Sequence, residues 1–252
     1  MKIAIVTGAS SGIGREFVRQ LDTRLSVDEI WVIARRASRL ADLQSEVKTK
    51  IVPYSLDLTD RADLEEYKAA LKAANAEVVS LVNAAGYGKI GLAEELSATE
   101  QAEMIDLNVR ALTGITLLTL PYMQKESEIF QLASLSSFMP LPYLSVYAAT
   151  KAYVLSFSRA LAYEVKDRGI RVMAVCPGWV RTEFLSRAQE TPDALRHYGC
   201  FYRAPDVVAR AIKDMNKGKK VSICGVQTRA LIILAKVLPH GLVTALWYRF
   251  QK

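Results

Sequence analysis

The chain has 252 residues, 51% of them hydrophobic, enough to build one substantial α/β core with no second domain required. Its three cysteines, Cys176, Cys200 and Cys224, are odd in number and widely spaced, and its two histidines, His197 and His240, stand far apart, which excludes a disulfide framework and a zinc centre; no metal is expected. The net charge of +7 is local: no Asp or Glu follows Asp214, whereas Lys217, Lys219, Lys220, Arg229, Lys236, Arg249 and Lys252 do, a pattern that points to a local anionic contact and away from nucleic acid.

Met1-Lys2 leads directly into an apolar run, Ile3–Thr7, so no signal peptide is expected and the chain reads as cytoplasmic. The run ends in Gly8-Ala9-Ser10-Ser11-Gly12-Ile13-Gly14, and an amphipathic pattern through Phe17, Val18 and Leu21 follows. This order spells strand, tight loop, helix. Gly8 permits the turn, Gly12 lets backbone approach a pyrophosphate, and Gly14 lets the helix pack close to the strand. With Ser10, Ser11 and Ile13 they form the expected phosphate loop, and the helix N-terminus offers it free N–H groups.

Strand-like runs then alternate with helical patterns, as in a parallel sheet covered on both faces. The second strand, Glu29–Ala34, has Ala34 where an acid would hold a ribose 2′-hydroxyl, and Arg35 follows, which favours a 2′-phosphate and therefore NADP(H). Arg36 reads as the solvated start of the next helix. The third strand, Lys50–Leu56, delivers Asp57, and Asp60 is placed to start the helix Leu64–Ala73. The fourth, Val78–Val82, runs into Asn83-Ala84-Ala85-Gly86, and a long helical stretch from about Ser97 to Gln124 is interrupted near Pro121.

The fifth strand, Ile129–Ser134, and the loop after it hold three serines that could face a substrate oxygen: Ser134 at the strand end, then Ser136 and Ser137. Tyr147 and Lys151 follow, four apart and so on one helix face, where an ammonium lowers the phenol pKa and suits it to acid–base work. The helix runs on to about Lys166 with an apolar face through Val154, Leu155, Phe157, Leu161 and Val165. The sixth strand, Ile170–Cys176, ends in Pro177-Gly178. Residues 183–204 lose periodicity and gather Phe184, Tyr198, Phe201 and Tyr202, as a substrate lid would. A helix opening at Pro205-Asp206 and a seventh strand, Lys220–Cys224, complete the pattern.

The spacing Thr-Gly-x-x-x-Gly-x-Gly, then Asn83–Gly86, Asn108, Tyr147 with Lys151, and Pro177-Gly178, in that order, resemble the short-chain dehydrogenase/reductase family over residues 1 to about 225. The resemblance implies a Rossmann-type, doubly wound, seven-stranded parallel sheet in a single domain. It selects Ser134, thirteen residues before Tyr147, as the catalytic serine, and implies that Asn108 kinks its helix to hold a water leading to Lys151. It places Asp57 against the adenine, Asn83, Ala84 and Gly86 along the cofactor ribose with Ala84 replacing the family's second Asn, and Val180 and Thr182 near the nicotinamide carboxamide. The activity it implies is hydride transfer between NADP(H) and a carbonyl or secondary alcohol: a fatty 3-oxoacyl group, a steroid-like substrate or a small aromatic ketone. A non-catalytic NADP(H) sensor and a nucleotide-sugar epimerase are the alternatives. The family also implies a homodimer or homotetramer. Residues 226–252 form an apolar, basic helical extension broken at Pro239 and Gly241, expected to cover the core, to contact another subunit, or to meet an anionic membrane surface or acidic carrier protein.

Overall fold

The computed structural model describes residues 1–188 and 195–251. Strands β1 (Lys2–Thr7), β2 (Glu29–Ile33), β3 (Lys50–Tyr54), β4 (Glu77–Asn83), β5 (Glu128–Leu132), β6 (Arg171–Val175) and β9 (Val221–Ser222) form one parallel sheet in the order β3-β2-β1-β4-β5-β6-β9. This is the doubly wound seven-stranded sheet expected from the sequence. A second, two-stranded parallel sheet joins β7 (Trp179–Val180) to β8 (Phe201–Tyr202), with Val180 opposite Tyr202. Its strands are too short to carry a period.

The strand runs are apolar throughout because both faces are covered. Ile3 and Ile5 point to one side, with Trp31, Leu81 and Leu161, while Ala4 and Val6 point to the other, with Phe17, Val82 and Phe130. The first layer is packed by α3 (Arg61–Ala74), α5 (Leu112–Thr119) and α6 (Ser145–Glu164), and the second by α1 (Gly12–Arg24) and α8 (Ala204–Asn216). Asp60 caps α3 by accepting the Ala62 amide at 2.7 Å. The short α2 (Ala37–Ala41) follows β2.

The long helical stretch resolves into α4 (Ala98–Ile105), a π-turn over Asp106–Ala111 and α5, with Pro121 in a closing 3-10 turn. Strands β2, β3, β5 and β6 stop one or two residues short of the expected ends, since beyond them the chain leaves the sheet to form loops at its C-terminal edge. The segment expected to form a lid contains α7 (Phe184–Ala188) and β8, and residues 189–194 of it, with Pro192, lie outside the described residues. Pro239 separates α9 (Val226–Val237) from α10 (His240–Gln251). No helix among the described residues is long and apolar enough to cross a membrane.

Candidate active site

At the C-terminal edge of the sheet a cavity of about 870 Å³ opens against the β1–α1 loop. Glycine makes this loop possible. Gly8 sits at φ +67°, and a Cβ there would stand 2.6 Å from the Ala85 amide nitrogen, while a Cβ on Gly14 would stand 2.3 Å from the Gly8 carbonyl oxygen. The Ser11 side chain makes no cap on α1 and no acid lies in its first turn, so its N-terminal N–H groups and positive dipole end are left for an anion. A Cβ on Gly12 would approach Thr182 Cγ2 to 3.1 Å, so a side chain there would fill the space between the loop and Thr182.

The cavity gathers nearly all the expected residues: Gly8, Ser10, Ser11, Gly12, Ile13, Gly14, Arg35, Asp57, Ala84, Gly86, Ser134, Tyr147, Lys151, Pro177, Gly178, Val180 and Thr182. Asn83 and Asn108 stand behind its wall. Asn83 is turned into the protein, where its amide donates to Thr116 Oγ1 at 2.9 Å and Gln131 Oε1 at 3.0 Å; it ties β4 to α5 and β5, and only the small residues after it reach the cavity. Asn108, wholly buried in the π-turn, donates to the Tyr87 carbonyl at 2.8 Å and to Thr150 Oγ1 at 3.1 Å, and accepts the Tyr87 amide at 3.1 Å. Thr150 lies beside Lys151, so Asn108 fixes the backbone of the β4 loop against α6.

Ser134 caps the 3-10 turn Leu135–Phe138, its hydroxyl accepting the Ser136 amide at 3.2 Å. Ser137 serves the turn: its hydroxyl donates to the Lys151 carbonyl at 2.8 Å and accepts the Ser134 amide at 3.2 Å. Ser136 Oγ is buried with no hydrogen-bond partner. Burial pushes the Tyr147 phenol up to about 12, with the Ser134 side chain opposing that rise. Burial also pushes the Lys151 ammonium down to about 8. The expected lowering of the phenol by the lysine is therefore not the balance in this structure. Lys151 Nζ lies 5.7 Å from the phenol ring centre and donates to the Leu132 carbonyl at 2.8 Å, and burial governs the phenol.

Three features escaped the sequence. Arg35 is largely exposed and reaches Asp57 Oδ2 at 3.5 Å, whereas Arg36 turns back over the β1–α1 loop, donating to Ser10 Oγ at 3.0 Å and Ser11 Oγ at 3.1 Å. Arg36 also meets Glu183 at 3.0 Å, and Arg39 holds the same carboxylate, keeping it below its ordinary range. Second, Gly88 makes room for the tyrosine: a Cβ there would stand 2.8 Å from both Tyr147 Cδ2 and Phe184 Cζ. Third, the C-terminal helices are a wall of the cavity, which Leu234 and Leu238 line beside Leu246, Trp247 and Phe250. Trp247 Nε1 donates to the Pro142 carbonyl at 3.0 Å, and buried Gln251 accepts the Arg196 and His197 amides at 3.0 and 3.1 Å, so α10 is anchored to two cavity loops.

The family model of the short chain dehydrogenases matches residues 2–193. The chain belongs to this family. The short-chain dehydrogenases are oxidoreductases, and among curated members the chain is 31% identical to the 3-oxoacyl-[acyl-carrier-protein] reductase FabG of Thermotoga maritima over 84% of this chain and 88% of that one. It is 27% identical to VdlC of Helicobacter pylori, a probable short-chain type dehydrogenase/reductase, over 98% of this chain and 94% of that one. A short-chain dehydrogenase from Sphingobium yanoikuyae solved in complex with NADPH superposes with a TM-score of 0.80 at 28% identity, covering 96% of this chain and 95% of that one. A 3-ketoacyl-(acyl-carrier-protein) reductase from Brucella melitensis complexed with NADH gives 0.72 at 25% identity, covering 90% and 92%.

Proposed function

We propose that this short-chain dehydrogenase transfers hydride between NADP(H) and a carbonyl or secondary alcohol. The observation that carries the reading is the convergence of Ser134, Tyr147 and Lys151 on the cavity that also receives the phosphate loop. A bound nicotinamide dinucleotide supplies the hydride or accepts it. The residues present suit such a group: the uncapped N-terminus of α1 and the Gly8–Gly14 turn for the pyrophosphate, Asp57 and Ala84–Gly86 for the adenosine, and Pro177, Gly178, Val180 and Thr182 for the nicotinamide end.

The chain's own side chains move the proton. With its pKa at about 12, the Tyr147 phenol is protonated at neutral pH and gives its proton to the carbonyl oxygen as charge develops there; in oxidation the phenolate takes it back. Ser134 donates to the same oxygen and steadies that charge. Lys151, held between Leu132 and the phenol, favours the phenolate whenever it is protonated. Asn108 is a positioning residue for the β4 loop and Thr150. The apolar cavity wall from Met139, Leu141 and the C-terminal helices suits an apolar substrate of the 3-oxoacyl or steroid-like kind.

Arg35 and Arg36, both at the cavity, support NADP(H) over NAD(H). Exposed Leu117 on α5 and Tyr153 on α6 support pairing of two copies through those helices. The test is a parallel titration with NADPH and NADH, followed by a screen of ketones and 3-oxoacyl thioesters for NADPH consumption. Preferred NADPH binding with turnover of at least one carbonyl is expected. Tight NADPH binding with no turnover across the screen would favour a sensor, and failure to bind either dinucleotide would overturn both readings.

A further inference from the structure

The outer surface of α9 and α10 reverses the usual amphipathic pattern. On α9 the buried positions are Thr228, Ile232 and Ala235, yet the opposite face is also apolar: Val226, Ala230, Ile233 and Val237, at helical spacing, with Val226 83%, Ile233 63% and Val237 76% exposed. On α10, Leu242 and Leu246 are exposed as well. Clustered apolar exposure of this kind marks a contact. The only formal charges that α9 and α10 carry are positive: Arg229, which donates to the Ile223 carbonyl, and Lys236, seven apart on one flank of the α9 stripe, and the exposed Arg249 three residues beyond Leu246 on α10.

We propose that the α9–α10 pair lies on an anionic lipid surface, with its apolar stripe among the acyl chains and its cations at the headgroups. Two observations select lipid over a second copy of the chain. A two-fold pairing of this face would bring together two surfaces that each carry Arg229, Lys236 and Arg249, with no carboxylate in residues 226–251 of either to compensate. In addition, Leu234, Leu246 and Phe250 are each at least half exposed and also line the cavity, so the apolar surface runs into the apolar wall of the site. Neither helix spans a bilayer, so the contact is interfacial. The proposal stands independently of the reaction assigned above.

The test is sedimentation of the full chain, without cofactor or substrate, with vesicles of phosphatidylglycerol and phosphatidylcholine or of phosphatidylcholine alone. Binding to the anionic vesicles that weakens with added salt is expected. The double variant Ile233→Glu with Val237→Glu, neither residue lining the cavity, should bind at least about tenfold more weakly. Lys236→Glu with Arg249→Glu should abolish the preference for anionic vesicles, and this pair carries the test alone if the first variant does not fold. Protein that stays in the supernatant with anionic vesicles at low salt overturns the proposal. So does wild-type binding by both variants, a drop in oligomeric state caused by the Glu variant without lipid, or binding to an acidic carrier protein in place of vesicles.

Discussion

Lys151 stands one helical turn beyond Tyr147, yet its ammonium hydrogen-bonds the Leu132 carbonyl at 2.8 Å and lies 5.7 Å from the centre of the phenol ring. The two groups are therefore governed by burial: the phenol titrates high and the ammonium low. Reduction needs the protonated phenol, so its kcat/KM should stay level through neutrality. Oxidation needs phenolate, so its kcat/KM should climb with pH by up to about tenfold per unit below the phenol pKa. Level profiles in both directions would remove Tyr147 from the proton transfer.

The same lysine sets a stability signature. Its folded pKa of about 8 lies below its ordinary 10.5, so the unfolded chain binds more proton between those values and the lysine's burial penalty is relieved as pH rises through them. Denaturant unfolding of the wild type, compared with Lys151→Met, should shift in favour of the wild type between about pH 8 and 10.5. A constant difference across that window would mean that Lys151 is not desolvated in solution.

Glu183 occupies Arg36 and Arg39 in the way a phosphate would, and Arg36 also spans the hydroxyls of Ser10 and Ser11. Arg36→Ala should weaken NADPH binding about tenfold to a hundredfold and leave NADH nearly unchanged. Glu183→Gln removes the competing carboxylate and should tighten NADPH by about twofold to tenfold. Titration by cofactor fluorescence reads both, and equal losses for NADPH and NADH in Arg36→Ala would place the 2′-phosphate elsewhere.

Gly88 has no room for a methyl group, since a Cβ would meet the rings of Tyr147 and Phe184, themselves 5.4 Å apart. Gly88→Ala should lower kcat/KM by about tenfold to a hundredfold through displacement of the phenol, with NADPH binding close to wild type. Unchanged kinetics would show that the β4 loop does not set the tyrosine's position.

Phe17 on α1 is buried against Phe130 of β5, the ring centroids 5.0 Å apart, and this contact orients the helix whose N-terminus faces the cavity. Phe17→Ala should cost about 3–5 kcal/mol in denaturant unfolding. A change below about 1 kcal/mol would mean that α1 is held by its other contacts.

The sheet was legible because strands buried on both faces leave continuous apolar runs, and Ile3–Thr7, Glu29–Ile33 and Arg171–Val175 all do so. The tight β1–α1 loop was legible because only glycine tolerates the contacts at Gly8 and Gly14. Residues such as Asn83 were harder: a polar side chain at a strand end has the same spelling whether it faces the cavity or, as here, Thr116 and Gln131. Arg35 and Arg36 are adjacent, and which of them turns toward Ser10 depends on how α2 leaves the strand, which no period records. The apolar residues of α9 and α10 spell a core in sequence, and only the packing separates Ile232, which is buried, from Ile233, which is not.

The most direct test of the account is Tyr147→Phe, assayed for carbonyl reduction beside an NADPH titration of the same preparation. Turnover should fall by about 10²–10⁴-fold, with NADPH affinity little changed and the fold intact. Turnover at the wild-type rate would contradict the assignment of Tyr147 as the proton donor, and with it the reading of the site.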